Sequence, residues 1–460
     1  MNKYLLVGDY VQKEVASTNK EDYISVTIPF KDDDNDLRYG IGHALKKLKE
    51  NGIYPTENGI DILSLAGLVY LADTRISRSL HSQDSWTREI AIEIPVFHLD
   101  KWALLGELFT RMLNFLTGDR WRISFRKRDE ELLEKPEDDT PPPEFDAVTL
   151  FSGGMDSLIG TINHLENHNK IALISHAGDG YTKNAQSKIL ACFREKYPDL
   201  NPLYLDLWMV FEKNLIPGGG IENSTRSRSF LFIAFGIFAM SGMKGVSTLE
   251  VPENGLIALN VPLDELRTGS HSTRTTHPFY LESLNQALNG LGIELSVRNP
   301  YWNETKGEMA DECLNKEFLL QVIQDSSSCS SPQKARWSGA APKHCGYCVP
   351  CIIRRAAMNR AFREEGDGTP YLVESVSEIA TNHAKGKGVQ LRSFQIAINK
   401  IKEQPQLAKI LIHKTGPLSG DSAYLQELSD VYRRGLLEVD DFIIKNSGSE
   451  RQTDTRRSIK

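Results

Sequence analysis

Two groups of residues in this chain have the types and spacing that chemistry needs. The first is Ser152-Gly153-Gly154-Met155-Asp156-Ser157, which follows the apolar run Ala147 to Phe151 and leads into a helical stretch from Leu158 to Leu165. Strand, tight glycine loop and helix in that order aim backbone N–H groups and the positive end of a helix at one point. The two glycines remove the Cβ atoms that would obstruct a phosphate. Ser152 and Ser157 add hydroxyl donors. The loop has no lysine of the G-x-x-x-x-G-K-[ST] kind and does not fit the dinucleotide pattern G-x-G-x-x-G. A Gly-Gly pair alone would be an ordinary strand-to-helix turn, whereas the whole hexapeptide placed after a strand favours phosphate binding.

The second group is Cys345-Gly346-Tyr347-Cys348-Val349-Pro350-Cys351, with Cys329 upstream across fifteen intervening residues. Three thiolates at C-x₂-C-x₂-C spacing can wrap one ion, and Cys329 completes a tetrahedral four-thiolate site that is closed and therefore structural. An iron-sulfur cluster takes the same ligand set, but the ferredoxin run puts its fourth cysteine just downstream, where Ile352-Ile353-Arg354-Arg355 stand, so zinc is favoured. Cys192 and Cys313 stand alone and read as core residues.

These residues need elements to hold them. At 460 residues the chain is long enough for two to four domains. Its 54 Lys+Arg against 61 Asp+Glu give a net charge of −7, which disfavours bulk nucleic-acid binding. The opening residues hold a four-residue apolar run, shorter than a signal peptide needs, and the most apolar stretch, Phe230 to Met243, is 14 residues long and reads as a buried helix rather than a membrane span. The expectation is a cytoplasmic protein, where a tight cysteine cluster points to a metal rather than to disulfides. Residues 1–129 alternate strand-like segments, such as Tyr23 to Ile28 and Glu89 to Ile94, with helical ones such as Lys101 to Leu116, as in an α+β domain. Residues 130–146 carry eight acids and Pro141-Pro142-Pro143 and read as a linker. From Ala147 to Arg363, short apolar strands alternate with helical stretches, at Ala147–Phe151, Ile171–Ser175, Leu203–Leu207 and Val246–Val251. That alternation predicts an α/β fold with a parallel sheet and crossover helices. Residues 364–445 are expected to form a helical extension, with helices at Leu391–Lys402, Gln406–Ile412 and Ser422–Asp441, and residues 446–460 a disordered tail.

The hexapeptide resembles the SGGxDS signature of the PP-loop ATP pyrophosphatases. With C-G-x-C-x-x-C-x-x-R following roughly 190 residues later and one more cysteine upstream of it, the core from about Glu144 to Arg363 resembles the 7-cyano-7-deazaguanine synthase (QueC) family. The whole layout, with its N-terminal domain and helical tail, is similar to the QueC-like proteins of bacterial anti-phage defence operons. The resemblance implies a doubly wound sheet with ATP at the carboxyl ends of its strands, Mg²⁺ near Asp156, and a Cys₄ zinc site of Cys329, Cys345, Cys348 and Cys351. Ser152, Gly153, Gly154, Met155, Asp156 and Ser157 would hold the β- and γ-phosphates, and His176 would flank the adenosine. The implied activity is adenylation of a 7-deazaguanine carboxylate with release of pyrophosphate. The activated base would pass to an amide and nitrile, or to an amine on a partner protein from the same operon. The chain departs from the family in its longer Cys329–Cys345 spacing, at Ser224 to Leu231, which matches Gly-Arg-Asn-x-x-Phe loosely, and at Pro252–Leu256 and Arg274–Pro278.

Further candidates rest on position. Arg226 and Arg228 precede the apolar helix and could pair with a phosphate or a carboxylate, although arginines at an exposed helix start do so without function. Glu250 and Glu253, at a strand end, could read the amine and ring N–H of a guanine-like base, and solvated turn acids that read nothing are the plainer alternative. His277 could contact a ligand, with a capped loop histidine as the stronger alternative. Lys306 sits at a helix start, unfavourably for the dipole, and matches a Thr-Lys that the family has near its nucleotide. Arg354 matches the arginine after the cysteine run. Two other functions fit the same motifs, a tRNA-modifying PP-loop enzyme and a nucleotide-sensing scaffold of a defence complex.

Overall fold

In a computed structural model of the chain, residues 2–20, 22–134, 141–176, 178–224, 226–264, 274–363, 366, 368–378 and 386–446 are described. The middle of the acidic linker, 135–140, and the tail from 447 onward lie outside them. The described residues contain two five-stranded sheets. The first comprises β1 (Lys3–Asp9), β2 (Ala16–Lys20), β3 (Tyr23–Pro29), β4 (Glu89–Val96) and β5 (Arg120–Lys127), in the order β2-β3-β1-β4-β5. Only β2 runs antiparallel to its neighbour; β1 with β3, β1 with β4 and β4 with β5 are parallel. The N-terminal domain is thus an α/β layer and not the expected α+β domain. Alternation of buried and exposed residues reads the same in either strand direction. The direction comes from crossover helices such as Glu57–Arg75 and Gly106–Thr117.

The second sheet comprises β6 (Ala147–Leu150), β7 (Ile171–Ser175), β8 (Leu203–Asp206), β9 (Thr248–Glu250) and β10 (Ser296–Arg298), all parallel, in the order β10-β9-β6-β7-β8. Both faces are covered. Val148, Leu150, Ala172 and Ile174 pack toward helix Arg228–Met240, while Ala147, Ile171 and Leu173 pack toward helices Met155–Glu166 and Gly180–Lys196. Burial on both faces explains why β6 and β7 read as nearly continuous apolar runs. The chain winds outward from β6 through β7 and β8, then returns to the other side for β9 and β10. The loops after β6 and β9 therefore part at a topological switch point, where open α/β sheets hold their ligands.

The two sheets share one core. Helix Glu57–Arg75, N-capped by Thr56, is buried on almost every side, and so is helix Arg228–Met240. The first lies on the N-terminal sheet, the second on β6, β7 and β9, and the two pack against each other. A helix apolar all round belongs between two layers, and at about 1.5–3 kcal/mol for each large apolar side chain buried, neither layer can be peeled off cheaply. A buried ionic network reinforces the junction. Arg78 and Arg88 each bond both Asp73 and Asp119, and Asp73 Oδ2 also accepts from the Ser227 N–H (2.8 Å) and hydroxyl (3.0 Å) at the start of the second helix. The start of the acidic linker is docked as well, with the Leu132 and Leu133 N–H groups both donating to Glu57.

The helical extension follows expectation at Val389–Glu403 and is longer than expected at Ser422–Asn446. The latter packs against helix Val349–Ala361 and against the short helix Gly255–Leu259. Among the described residues no helix is long and apolar enough to cross a membrane.

Candidate functional site

The loop after β6 turns on its two glycines. Gly153 adopts φ of +78°, and a Cβ there would meet Gln186 Cγ at 2.9 Å, so glycine is required on both counts. Gly154 occupies the N-cap position of helix Met155–Glu166 and supplies no side-chain cap, so the first-turn N–H groups have no capping side chain. The two serines set the loop's shape. Ser152 Oγ accepts from the Gly154 N–H at 3.2 Å and lies 3.2 Å from Ser157 Oγ, which donates to the Gly154 carbonyl at 3.0 Å. From the next helix, Gln186 donates to the Phe151 carbonyl (3.2 Å), and its buried Oε1 has no hydrogen-bond partner.

Asp156, in the first turn, gathers residues from two other segments. The Lys306 ammonium lies 2.9 Å from Oδ1, with both side chains largely buried. Oδ2 accepts from the Asn254 side chain at 2.9 Å and from its backbone N–H at 3.3 Å. Sequence reasoning misses Asn254, although an asparagine before Gly255 is a helix-start signal, and here it caps helix Gly255–Leu259. Next to it, Glu253 is held by its backbone through Asn299 and by its carboxylate through the Thr276 hydroxyl. Burial, reinforced by the nearby Asp156 carboxylate, pushes Glu253 up to about 7. An acid that exchanges its proton near neutrality thus sits beside a buried Lys–Asp pair. A single carboxylate beside this loop is a donor that could serve a magnesium ion held mainly by the phosphates of a nucleotide.

The four cysteines converge. Their sulfurs all lie within 4.8 Å of one another, with 3.9 Å between Cys329 and Cys348 and between Cys345 and Cys351. These separations are too long for disulfides and match the edge of about 3.8 Å of a tetrahedron with metal–sulfur bonds of about 2.3 Å. Backbone N–H groups point at the sulfurs: Cys329 Sγ accepts from the Ser331 and Cys345 N–H groups and Cys345 Sγ from the Cys348 N–H. Hydrogen bonds among the four hold Cys345 and Cys348 below the usual thiol range and push Cys329 and Cys351 above it. Gly346, at φ of +84°, makes the turn that brings the ligands together. The site could hold a metal such as zinc.

The segment leading into the four-cysteine cluster touches the loop after β6. The Ser327 N–H, two residues before Cys329, donates to the Gly153 carbonyl at 2.7 Å. Arg354 fixes that segment from beneath. It is fully buried and donates to Ser326 Oγ (2.6 Å), the Ile323 carbonyl (2.7 Å) and Thr369 Oγ1 (2.7 Å). Here Arg354, expected at the substrate, braces the segment that leads to Cys329.

Several other candidates are engaged elsewhere. Arg226 turns into the N-terminal domain, where it stacks on Trp86 and donates to the Thr117 carbonyl at 2.6 Å, and burial, with Arg78 nearby, lowers its pKa to about 10. Arg228 stays half-buried near Tyr70 and His176. His176 ends β7 as expected, but it is buried against Phe232 and Phe235, with Nδ1 on the Leu207 carbonyl and no partner for Nε2. Burial, with Arg228 nearby, lowers it to about 4, so it is neutral. Glu250 is tied to His164 (2.8 Å) and Arg298 (3.0 Å), which hold its carboxyl below the usual range against the effect of burial. It is not free to read a base.

His277 proves to be the N-cap of helix Pro278–Leu291, accepting from the Phe279 N–H and packed on Phe115. Burial lowers it to about 3. The folded protein therefore binds fewer protons than the unfolded chain below about pH 6.5, and stability is lost as pH falls from there toward 3. His277→Asn keeps a capping side chain without the titration. Between pH 7 and pH 5 in urea unfolding, the wild type should lose about 2 kcal/mol more than this variant. Equal losses would show that His277 is already protonated in the fold.

Models of known protein families give no match to this chain, and curated proteins give none either.

Proposed function

We propose that the protein is an ATP-dependent enzyme that adenylates a 7-deazaguanine carboxylate and releases pyrophosphate. The observation that carries this reading is the loop Ser152–Ser157, an uncapped helix start at the switch point of a parallel sheet, with a buried lysine and a single acid converging on it. Backbone N–H groups of the loop and Lys306 would take the charge of the β- and γ-phosphates as they leave together, the place where fixed donors in a dry site act most strongly. The substrate carboxylate attacks the α-phosphorus, giving an acyl-adenylate and pyrophosphate. An amine then displaces AMP, forming an amide and releasing one proton. Glu253, with its carboxyl near neutrality, is the candidate to accept that proton or to read the base. The amine is ammonia or an amine of a partner protein in an anti-phage defence system. Zinc in the four-cysteine site would be structural, because its four thiolates leave no open position.

The decisive experiment is incubation of the pure protein with Mg-ATP and 7-carboxy-7-deazaguanine, with AMP and pyrophosphate quantified. Release of both, dependent on the deazaguanine, is expected. Unchanged ATP in its presence would refute the assignment.

A further inference from the structure

The chemistry proposed for the phosphate loop gives no role to the C-terminal helix Ser422–Asn446. Its apolar residues, among them Leu428, Val431, Leu436 and Val439, recur at helical spacing and are buried, so one stripe faces the core. Two polar residues lie on the same side. Glu438 is almost wholly buried, and Arg434, one turn earlier, points the same way. A buried acid on an apolar stripe needs partners.

Those partners form the turn that carries Lys306. Glu438 Oε2 accepts from the Thr305 hydroxyl at 2.6 Å, and Oε1 accepts from the Gly307 N–H at 3.0 Å. One carboxylate thus brackets Lys306 from both sides. The approach is close enough that a Cβ on residue 307 would collide with Glu438 Oε2. Arg434 completes the grip, donating from Nε to Glu308 Oε1 (2.8 Å) and from a terminal nitrogen to the Asn303 carbonyl (2.6 Å). Thr305 and Glu308 form a reciprocal capping box within the turn. Its hydrogen bonds fix the turn's shape. Glu438 and Arg434 fix where the turn stands.

The same helix also backs the other residue that holds Asp156. Leu256 lies against Gly435, and Val431 lies against Gly255, immediately after Asn254. The Gly255 N–H donates to the Glu304 carbonyl at 2.8 Å, tying the two loops together. Lys306 and Asn254 reach Asp156 from loops that rest on one helix outside the parallel-sheet core.

We propose that helix Ser422–Asn446 is a positioning element of the phosphate site, with Glu438 and Arg434 as the residues that aim Lys306 at Asp156. The functional part rests on the nucleotide reading above; the positioning part does not. Glu438 touches no reacting atom and acts through Lys306.

The test uses the full-length protein and two readouts. In the first, without ligand, modification of Lys306 by acetic anhydride is followed by mass spectrometry, with the exposed Lys188 as internal reference. Lys306 is 7 % exposed and ion-paired, so it should react slowly in the wild type. In Glu438→Ala its rate should rise about tenfold or more relative to Lys188, as expected for loss of charge-assisted hydrogen bonds. Glu438→Gln, whose amide can still accept from Gly307 and meet Thr305, should stay near the wild-type rate. In the second readout, calorimetric titration with Mg-ATP, affinity should fall about tenfold in Glu438→Ala and recover in Glu438→Gln. If Glu438→Ala does not fold, Arg434→Met carries the same expectation through a half-exposed residue. A folded Glu438→Ala or Arg434→Met with Lys306 as protected as in the wild type overturns the proposal. A wild type that does not bind Mg-ATP overturns the nucleotide reading instead, and the labelling result still decides the positioning role.

Discussion

Stripping metal from the four-cysteine site is expected to lower the thermal midpoint of the protein by at least about 10 °C. Three of the four thiols are buried, and their sulfurs stand at metal-bound spacing with backbone N–H groups directed at them. Without an ion, that arrangement crowds polarisable, partly charged sulfurs against one another, and little apolar packing replaces the lost bonds. The cysteines form a small cluster of their own, with Tyr347 packed against it. The damage should also spread. Ser327, two residues ahead of Cys329, bonds the loop after β6 at Gly153, so a loosened module releases one side of that loop. Metal analysis of the purified protein should give one ion per chain, and Cys351→Ser should lose it. Calorimetry with and without a strong chelator then measures the shift. Visible absorption would identify an iron-sulfur cluster in place of zinc. A Cys351→Ser variant with unchanged midpoint and no bound metal in the wild type would reduce the cluster to packed thiols.

Asp156→Asn and Lys306→Met should each abolish most activity, by about 10²–10³-fold, the usual cost of removing a preorganised charge from a reacting phosphate. Their effects on stability separate catalysis from folding. Each single change leaves the other charge buried without its partner and should cost about 3–5 kcal/mol. The double variant removes both charges and should regain most of that stability. It should remain as inactive as either single variant. Chemical unfolding alongside pyrophosphate release tests both halves. Recovery of activity with stability would mean that the pair serves the fold alone, leaving only the backbone loop to bind the nucleotide.

Much of this arrangement is legible in the sequence because local chemistry dictates it. β6, β7 and β8 are runs of apolar residues, the first two buried on both faces; the hexapeptide needs its glycines for the turn, and the cysteines need each other. What is not legible depends on distant partners. Arg226 and Arg228 are alike in sequence, yet the first is held in the N-terminal domain by the Trp86 ring and the Thr117 carbonyl. β10, with Ser296 and Arg298 flanking one buried valine, is a strand because β9 pairs with it, not because of its composition. The stretch Lys101 to Leu116 reads as one helix, but it breaks into a short helix, a 3₁₀ turn over Ala103–Leu105 and a longer helix from Gly106. Glu438 leaves a signal in the sequence, an acid on an otherwise apolar stripe, but its partners Thr305 and Gly307 lie more than a hundred residues away.

The shared core between the two sheets bears on how the chain is made. Helix Glu57–Arg75 is complete early in synthesis, while helix Arg228–Met240, which covers its far side, comes much later. At about 5–20 residues per second, the first sheet waits roughly 10–30 s with an apolar helix uncovered. During that interval the apolar face that later packs on helix Arg228–Met240 lacks its partner from the second layer.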